Sequence, residues 1–222
     1  MTLFGPLHLA LLAVIALAGL ALVELCRREE RARRPVRLVL GIGLAVNELV
    51  WWRFRYSHEG VHLWNLPLQL CDVTLWMTSL ASITLAPALV EFAYFAGLAG
   101  AAMALITPDL WRPWPQYPAV YFFVAHGGIV VAIAVLVLGR VAPLRRGAVW
   151  RAFGMLLAYA AAVGAFNAVS GANYMYLCRK PANPSLLDLF GPWPVYLAAG
   201  AAAALALFWL LWLPIRPREN GR

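Results

Sequence analysis

The sequence has 222 residues, of which 63% are hydrophobic and only 13% are charged, with a net charge of +8 and a mean hydropathy of +0.74. A soluble domain carries about 25% charged residues, so this chain has too little polar surface to cover a water-soluble globule. Every basic residue except Lys180 is an arginine, and most lie in short runs between apolar stretches. This arrangement is typical of membrane orientation signals and argues against nucleic-acid binding.

Seven apolar stretches predict an all-α transmembrane bundle of about seven helices that forms one domain over residues 1–222. In chain order, the helices are expected at about residues 3–25, 36–56, 66–85, 88–107, 118–138, 150–170 and 192–213. The first stretch has no basic start and no cleavage site, and it ends at Arg27 and Arg28. These features favour a first span over a cleaved signal peptide.

The basic residues are distributed unequally between the two sides of the predicted bundle. With the N-terminus outside, thirteen Lys and Arg residues fall on the inner side and five on the outer side. Because cytoplasmic loops of membrane proteins are enriched in Lys and Arg, this excess predicts an outside N-terminus and an inside C-terminus. We therefore expect a multi-pass protein of the cell (plasma) membrane, whose oligomeric state stays open.

Seven polar residues lie within the apolar stretches, where an ionisable group needs a partner or a water-filled cavity. They are Asn47, Glu48, Cys71, Asp72, Glu91, His126 and Asn167. Glu91 falls near the cytoplasmic end of its helix, whereas the other six fall in the outer half of the bundle. On helix three, an arc of about 160° collects Cys71, Asp72, Thr74, Thr78 and Ser79. We expect this arc to face the interior, and Gln69 lies outside it.

A thiol and an imidazole at similar depth suggest a nucleophile and its base. A free cysteine thiol has a pKa near 8.5, so Cys71 needs a neighbouring base to react. His126 could take the proton, and the carboxylate of Glu48 or Asp72 could orient the imidazole. The alternative is that Cys71 is an inert, small apolar residue. One histidine with scattered carboxylates lacks metal-ligand spacing, so neither a metal nor another cofactor is expected.

Residues 171–191 form a long loop on the predicted outer side. It could simply cap the bundle, with Asp188 as an N-cap and Pro192 near the start of helix seven. It could instead contact lipid headgroups through Arg179 and Lys180, whose side chains suit phosphate groups. Cys178 lies on the same side as Cys71, so a disulfide between them is a further possibility.

Several short motifs occur in the order found in one family of integral membrane proteins. Residues 66–71 read Leu-Pro-Leu-Gln-Leu-Cys, residues 125–128 read Ala-His-Gly-Gly, and the segments 173–176 and 180–193 follow. The chain resembles the YwaF/TMEM164-like family from helix two to helix seven. The resemblance implies a lipid acyltransferase with Cys71 as nucleophile and His126 as base. Many members carry histidine where this chain has Gln69.

The leading hypothesis is therefore thiol-dependent acyl transfer or hydrolysis on membrane lipids, which are the expected substrates or ligands. A side-chain amide of Asn47, Asn167 or Asn173 could donate to the developing oxyanion, and the sequence does not choose among them. A non-catalytic transporter of a small molecule or lipid, with Glu48, Asp72 and His126 as a proton relay, is the alternative. A third reading is a structural partner whose polar interior only packs helices.

Overall fold

A computed structural model describes residues 1–181 and 186–215, and the ordered segments are almost entirely helical. The long helices are α1 (Pro6–Arg28), α2 (Glu30–Glu59), α3 (Leu70–Thr84), α4 (Pro87–Ile106), α5 (Tyr117–Val137), α6 (Ala148–Ser170) and α7 (Val195–Trp212). Two short 3₁₀ helices, Tyr174–Tyr176 and Leu186–Phe190, lie between α6 and α7. The prediction of an all-α bundle is confirmed.

Six of the seven helices are long and apolar enough to cross a bilayer, and α3 is the exception. With 15 residues it is about 22 Å long, against about 30 Å for the hydrocarbon core. Contacts of α2 with the middle and the C-terminal end of α3 show that the two helices run antiparallel: Trp52 packs on Trp76, and Arg37 bonds the carbonyl of Ser82. Helix α3 alone is therefore shorter than the hydrocarbon core that the other helices can span.

The predicted start of helix two at residue 36 is wrong, because the preceding arginine run is itself helical. Helix α2 begins at Glu30 and contains Pro35 as its sixth residue, so the helix continues through a proline that removes one intrahelical hydrogen bond. The predicted start of helix seven at residue 192 is also wrong. Pro194 directly precedes α7, and Asp188 lies in the upstream 3₁₀ helix, so it is not the N-cap.

One end of the bundle, which we call the arginine end, consists of residues 27–37, 82–91 and 138–151. Arginine side chains there donate hydrogen bonds to backbone carbonyls at the C-terminal ends of three helices. The contacts are Arg33 Nε to Cys26 O at 2.9 Å, Arg27 Nε to Leu138 O at 2.7 Å, and Arg37 Nη1 to Ser82 O and Ile83 O, both at 2.7 Å. The last carbonyls of a helix have no partner within it, and cations there also interact favourably with the negative end of the helix dipole. These arginines therefore stabilise the helix ends, in addition to the orienting role that the sequence predicts for them.

The core lies along α4 and α5, the two most buried spans. A π-helical turn, Ala93–Gly97, interrupts α4, and the polar arc of α3 packs against it. A Cβ added to Gly97 would come within 3.5 Å of both Thr74 and Thr78. Because Thr74, Thr78 and Ser79 are buried, the prediction that this arc faces the interior is confirmed for these three residues.

Glu91 anchors the arginine end of the core. Its buried carboxylate accepts two bonds from Arg145, at 2.8 and 3.1 Å, and two from Arg151, both at 2.8 Å. Arg151 also donates to the carbonyl of Arg146, which fixes the turn before α6. The four charge-assisted bonds satisfy a carboxylate that would otherwise be costly inside the membrane.

His8, which the sequence did not single out, joins the start of α1 to the end of α4. Its fully buried imidazole accepts a bond from the N–H of Phe4 at 3.0 Å and lies 2.8 Å from the carbonyl of Leu105. Since a carbonyl can only accept, the ring carries its proton on Nε2. Both ring nitrogens are used, so His8 is a structural residue.

Tyr174 holds the loop after α6 against the loop that leads into α3. Its buried hydroxyl donates to Leu63 O at 2.9 Å and accepts from Leu66 N at 2.6 Å. Burial raises the pKa of this hydroxyl above its usual value, so the donated proton stays in place. A second tyrosine, Tyr159 of α6, donates to Leu68 O at 2.9 Å.

Replacing Glu91 with Gln should lower the melting temperature of the purified protein by about 10 °C, because a neutral amide cannot pair with both arginines. Thermal unfolding in detergent, followed by tryptophan fluorescence, measures the change. The matched control is Glu24→Gln, which removes an exposed ion pair with Arg28 and should have almost no effect. Equal melting temperatures for the two variants would contradict the anchoring role of Glu91.

Replacing Tyr174 with Phe should expose the loop before α3 to protease, because Leu63 O and Leu66 N lose their shared partner. The expected cost is about 1–3 kcal/mol of local stability. Limited proteolysis between residues 60 and 69 measures the loss. Tyr176→Phe is the control, since Tyr176 is exposed. A cleavage rate in Tyr174→Phe no faster than in the control would contradict this role.

Candidate functional site

The site is built around the first turn of α3. Helix three was predicted to begin at residue 66, but the segment before Leu70 is bent and held by the tyrosines described above. Gln69 precedes the helix, and its N–H donates to the Asp72 carboxylate at 3.0 Å. The Gln69 side-chain oxygen accepts a bond from Met175 N at 3.0 Å. Gln69 therefore lies outside the polar arc because it ends the loop and joins it to the segment after α6.

Cys71 occupies the second position of α3. Its thiol is free and exposed. The backbone N–H groups of Cys71 and Asp72 lie in the first turn of α3. These N–H groups belong to the helix N-terminus, where negative charge is favoured. The carboxyl groups of Asp72 and Glu48 are the electrostatic neighbours of the thiol and oppose that charge.

Glu48 is the most deeply buried of these groups, with an exposure of 0%. Its Oε2 accepts a bond of 2.5 Å from the hydroxyl of Tyr121, and the indole of Trp52 approaches the same carboxyl group. Its Oε1 has no hydrogen-bond partner, and within residues 1–181 and 186–215 no Lys or Arg pairs with it. The sequence did not single out Tyr121 as a site residue, so its role in this cluster was missed.

One cation acts on the cluster, and one buried amide precedes Glu48 in the chain. Arg55 is the cation that acts electrostatically on Asp72, and it also pairs with Glu59 at 3.0 Å. The side-chain nitrogen of Asn47 is buried and has no partner. Asn47 is thus the predicted oxyanion donor that keeps a free N–H group.

His126 lies on α5, about one and a half turns beyond Tyr121. Its Nδ1 is 2.8 Å from the carbonyl of Phe122, and the two rings pack with centroids 4.3 Å apart. Because that carbonyl can only accept, Nδ1 carries the proton, and Nε2 of the neutral ring keeps its lone pair. Among the hydrogen bonds of the described residues, none joins this imidazole to Cys71, Asp72 or Glu48.

The two other predicted asparagines, Asn167 and Asn173, form hydrogen bonds with backbone groups of the loop after α6. Asn167 is buried, and its amide pairs with both the N–H and the C=O of Tyr174, each at 3.0 Å. Asn173 accepts from the N–H groups of Cys178 and Arg179, at 3.0 and 3.2 Å, and donates to Arg179 O at 2.8 Å. Both amides are engaged in shaping the loop that covers the start of α3.

The predicted headgroup residues lie in that loop. Arg179 is exposed, whereas Lys180 is half-buried, lies 3.6 Å from Asp188 and stacks over the ring of Tyr196. Cys178 is a free, exposed thiol, so the structure contains no disulfide with Cys71. No cluster of three or more His, Cys, Asp or Glu residues that could hold a metal ion occurs in the described part of the chain.

The comparisons with known proteins fit a multi-pass membrane protein of this architecture. The family model of the TMEM164 family matches residues 3–213, almost the whole chain. An uncharacterized protein of Treponema pallidum (strain Nichols) is 29% identical over 230 residues, which cover 99% of this chain and 92% of that protein. No solved structure matches the chain. The match to the family model over nearly the whole chain shows that this chain belongs to the TMEM164 family.

Proposed function

We propose that this protein transfers acyl groups between lipids in the cell (plasma) membrane, with Cys71 as the nucleophile and His126 as the proton acceptor. The observation that carries the proposal is the position of Cys71, a free and exposed thiol in the first turn of a helix. A cysteine that serves only to pack helices would be buried, as Cys26 is.

The reaction needs two steps at one sulfur. Nε2 of His126 takes the thiol proton, directly or through a water molecule, and the sulfur attacks the ester carbonyl of a lipid. The carbon–sulfur bond forms, the ester carbon–oxygen bond breaks, and the departing alkoxide takes the proton back from His126. The hydroxyl of a second lysolipid then attacks the thioester, and the acyl group moves to it while the thiol is restored. Water in place of that hydroxyl gives hydrolysis.

Two features of the site support this chemistry. The tautomer of His126, fixed by the carbonyl of Phe122, leaves the nitrogen with the lone pair unbonded. The unpartnered amide N–H of Asn47, together with the N–H groups at the start of α3, could donate to the negative charge that develops on the carbonyl oxygen. Asp72 and Glu48 disfavour a resting thiolate, so proton removal is expected to accompany binding of the lipid.

Replacing Cys71 with Ala should abolish acyl transfer from a radiolabelled phospholipid to a lysophospholipid in proteoliposomes. Cys26→Ala is the matched control, since it removes a buried thiol that packs helices and should retain activity. The wild-type protein should also form an acyl-enzyme that hydroxylamine cleaves, and His126→Ala should slow its formation by at least about a hundredfold. Full activity in Cys71→Ala would refute the proposal.

The buried carboxyl group of Glu48 favours a second candidate function, proton-coupled transport. Its unpaired oxygen lies inside the membrane without a counter-ion, as in proton relays. If this function is correct, a pH gradient should drive proton entry into proteoliposomes loaded with a pH-sensitive dye. Entry should persist in Cys71→Ala and stop in Glu48→Gln. Proton entry no faster than in protein-free liposomes would exclude transport.

A further inference from the structure

An apolar groove of about 640 Å³ lies between α6 and α7, below the loop that joins them. Its volume falls within the range of roughly 300–1,000 Å³ that is common for small-molecule sites. Aliphatic side chains and small residues form most of its walls, with Trp193 and Tyr196 at the loop. Helix α7 is the least buried of the spanning helices, so the groove lies beside the lipid.

Small residues on both helices create the groove. On α6 they are Ala160, Gly164 and Ala168, and on α7 they are Gly200, Ala201 and Ala204. This spacing usually lets two membrane helices pack closely. Here the space between them stays open, because a Cβ added to Gly200 would meet no atom within 4 Å. The dimensions suit a slender apolar chain.

The loop end of the groove lies near the start of α3 and near one cation. Leu70, which precedes Cys71 in the chain, lines one wall, whereas Cys71 itself does not line the groove. Tyr196 lines the loop end, and Lys180 Nζ lies 5.6 Å above its ring. A phospholipid has a matching arrangement, because an apolar chain is joined through an ester to a headgroup phosphate.

We propose that this groove binds one acyl chain of a phospholipid that enters from the bilayer, with the phosphate held near Lys180. The inference rests on the proposed function for the role of Cys71, but lipid binding itself does not need the thiol. The occupant is a lipid chain, and not a protein segment, because the groove has few polar groups with which to bond a peptide backbone.

The experiment uses Cys71→Ala protein, in which Cys178 is the remaining exposed thiol and lines the groove. The labelling rates of Cys178 with N-dodecylmaleimide and N-ethylmaleimide are compared. Gly200→Leu, which fills the groove, should lower the ratio of these rates at least about tenfold, because each excluded methylene costs roughly fourfold in binding. Ala160→Leu, on the opposite wall of the groove, should lower the ratio by a similar factor. Gly154→Leu is the control, since Gly154 is exposed and lies outside the groove, and a Cβ added there would meet no atom within 4 Å.

Palmitoyl-lysophospholipid should slow the labelling of Cys178, and hexanoyl-lysophospholipid should not. An unchanged rate ratio in both groove variants, or an equal fall in Gly154→Leu, would overturn the groove as a chain site. Equal protection by free palmitate, or protection that Lys180→Ala leaves unchanged, would overturn the assignment of the phosphate. If lipid chains protect Cys178 in a chain-length-dependent way but the wild-type protein forms no thioester, the proposed function is refuted and the groove as a chain site is not.

Discussion

The hydrogen bonds between the loop after α6 and the loop before α3 are the constraint on which the site depends. Helix α3 is shorter than the spanning helices, and the backbone of the segment before it needs hydrogen-bond partners from elsewhere in the fold. Tyr174 bonds both a C=O and an N–H of the preceding loop, and the amide of Asn167 holds the backbone of Tyr174. Because these contacts fix where α3 begins, they also fix the depth and direction of Cys71.

Glu48 and Glu91 are both buried carboxylates, but they differ in their hydrogen-bond partners. Glu91 receives four bonds from two arginines, so its charge is matched and its role is anchoring. Glu48 receives one hydroxyl bond and the approach of an indole, and one of its oxygens stays without a partner. A buried polar atom left unpaired costs about 1–3 kcal/mol, which is a large share of a protein's net stability. The cluster around Glu48 is therefore where function, and not folding, accounts best for the residues present.

Hydropathy predicted the helices well but not the start of α3, and the reason is physical. A window of about twenty residues counts Leu66, Leu68 and Leu70 as one apolar run, whereas Pro67 and tertiary bonds from Tyr159 and Tyr174 bend that segment. The spacing of the polar residues on α3 and the position of Glu91 follow from helix geometry alone, so they were predictable. The engagement of Asn167 and Asn173 with loop backbone was not, because their partners depend on the fold of residues 173–179.

The departure at position 69 becomes intelligible from the same contacts. The side chain of Gln69 accepts a hydrogen bond from Met175 N, which joins the start of α3 to the covering loop. A histidine, which the family resemblance implies at this position, could accept the same bond through a ring nitrogen, so glutamine preserves the connection. What glutamine cannot do is exchange a proton near neutral pH. Under the proposed function, proton transfer at Cys71 is therefore assigned to His126, and the contact with Met175 needs no titratable group at position 69.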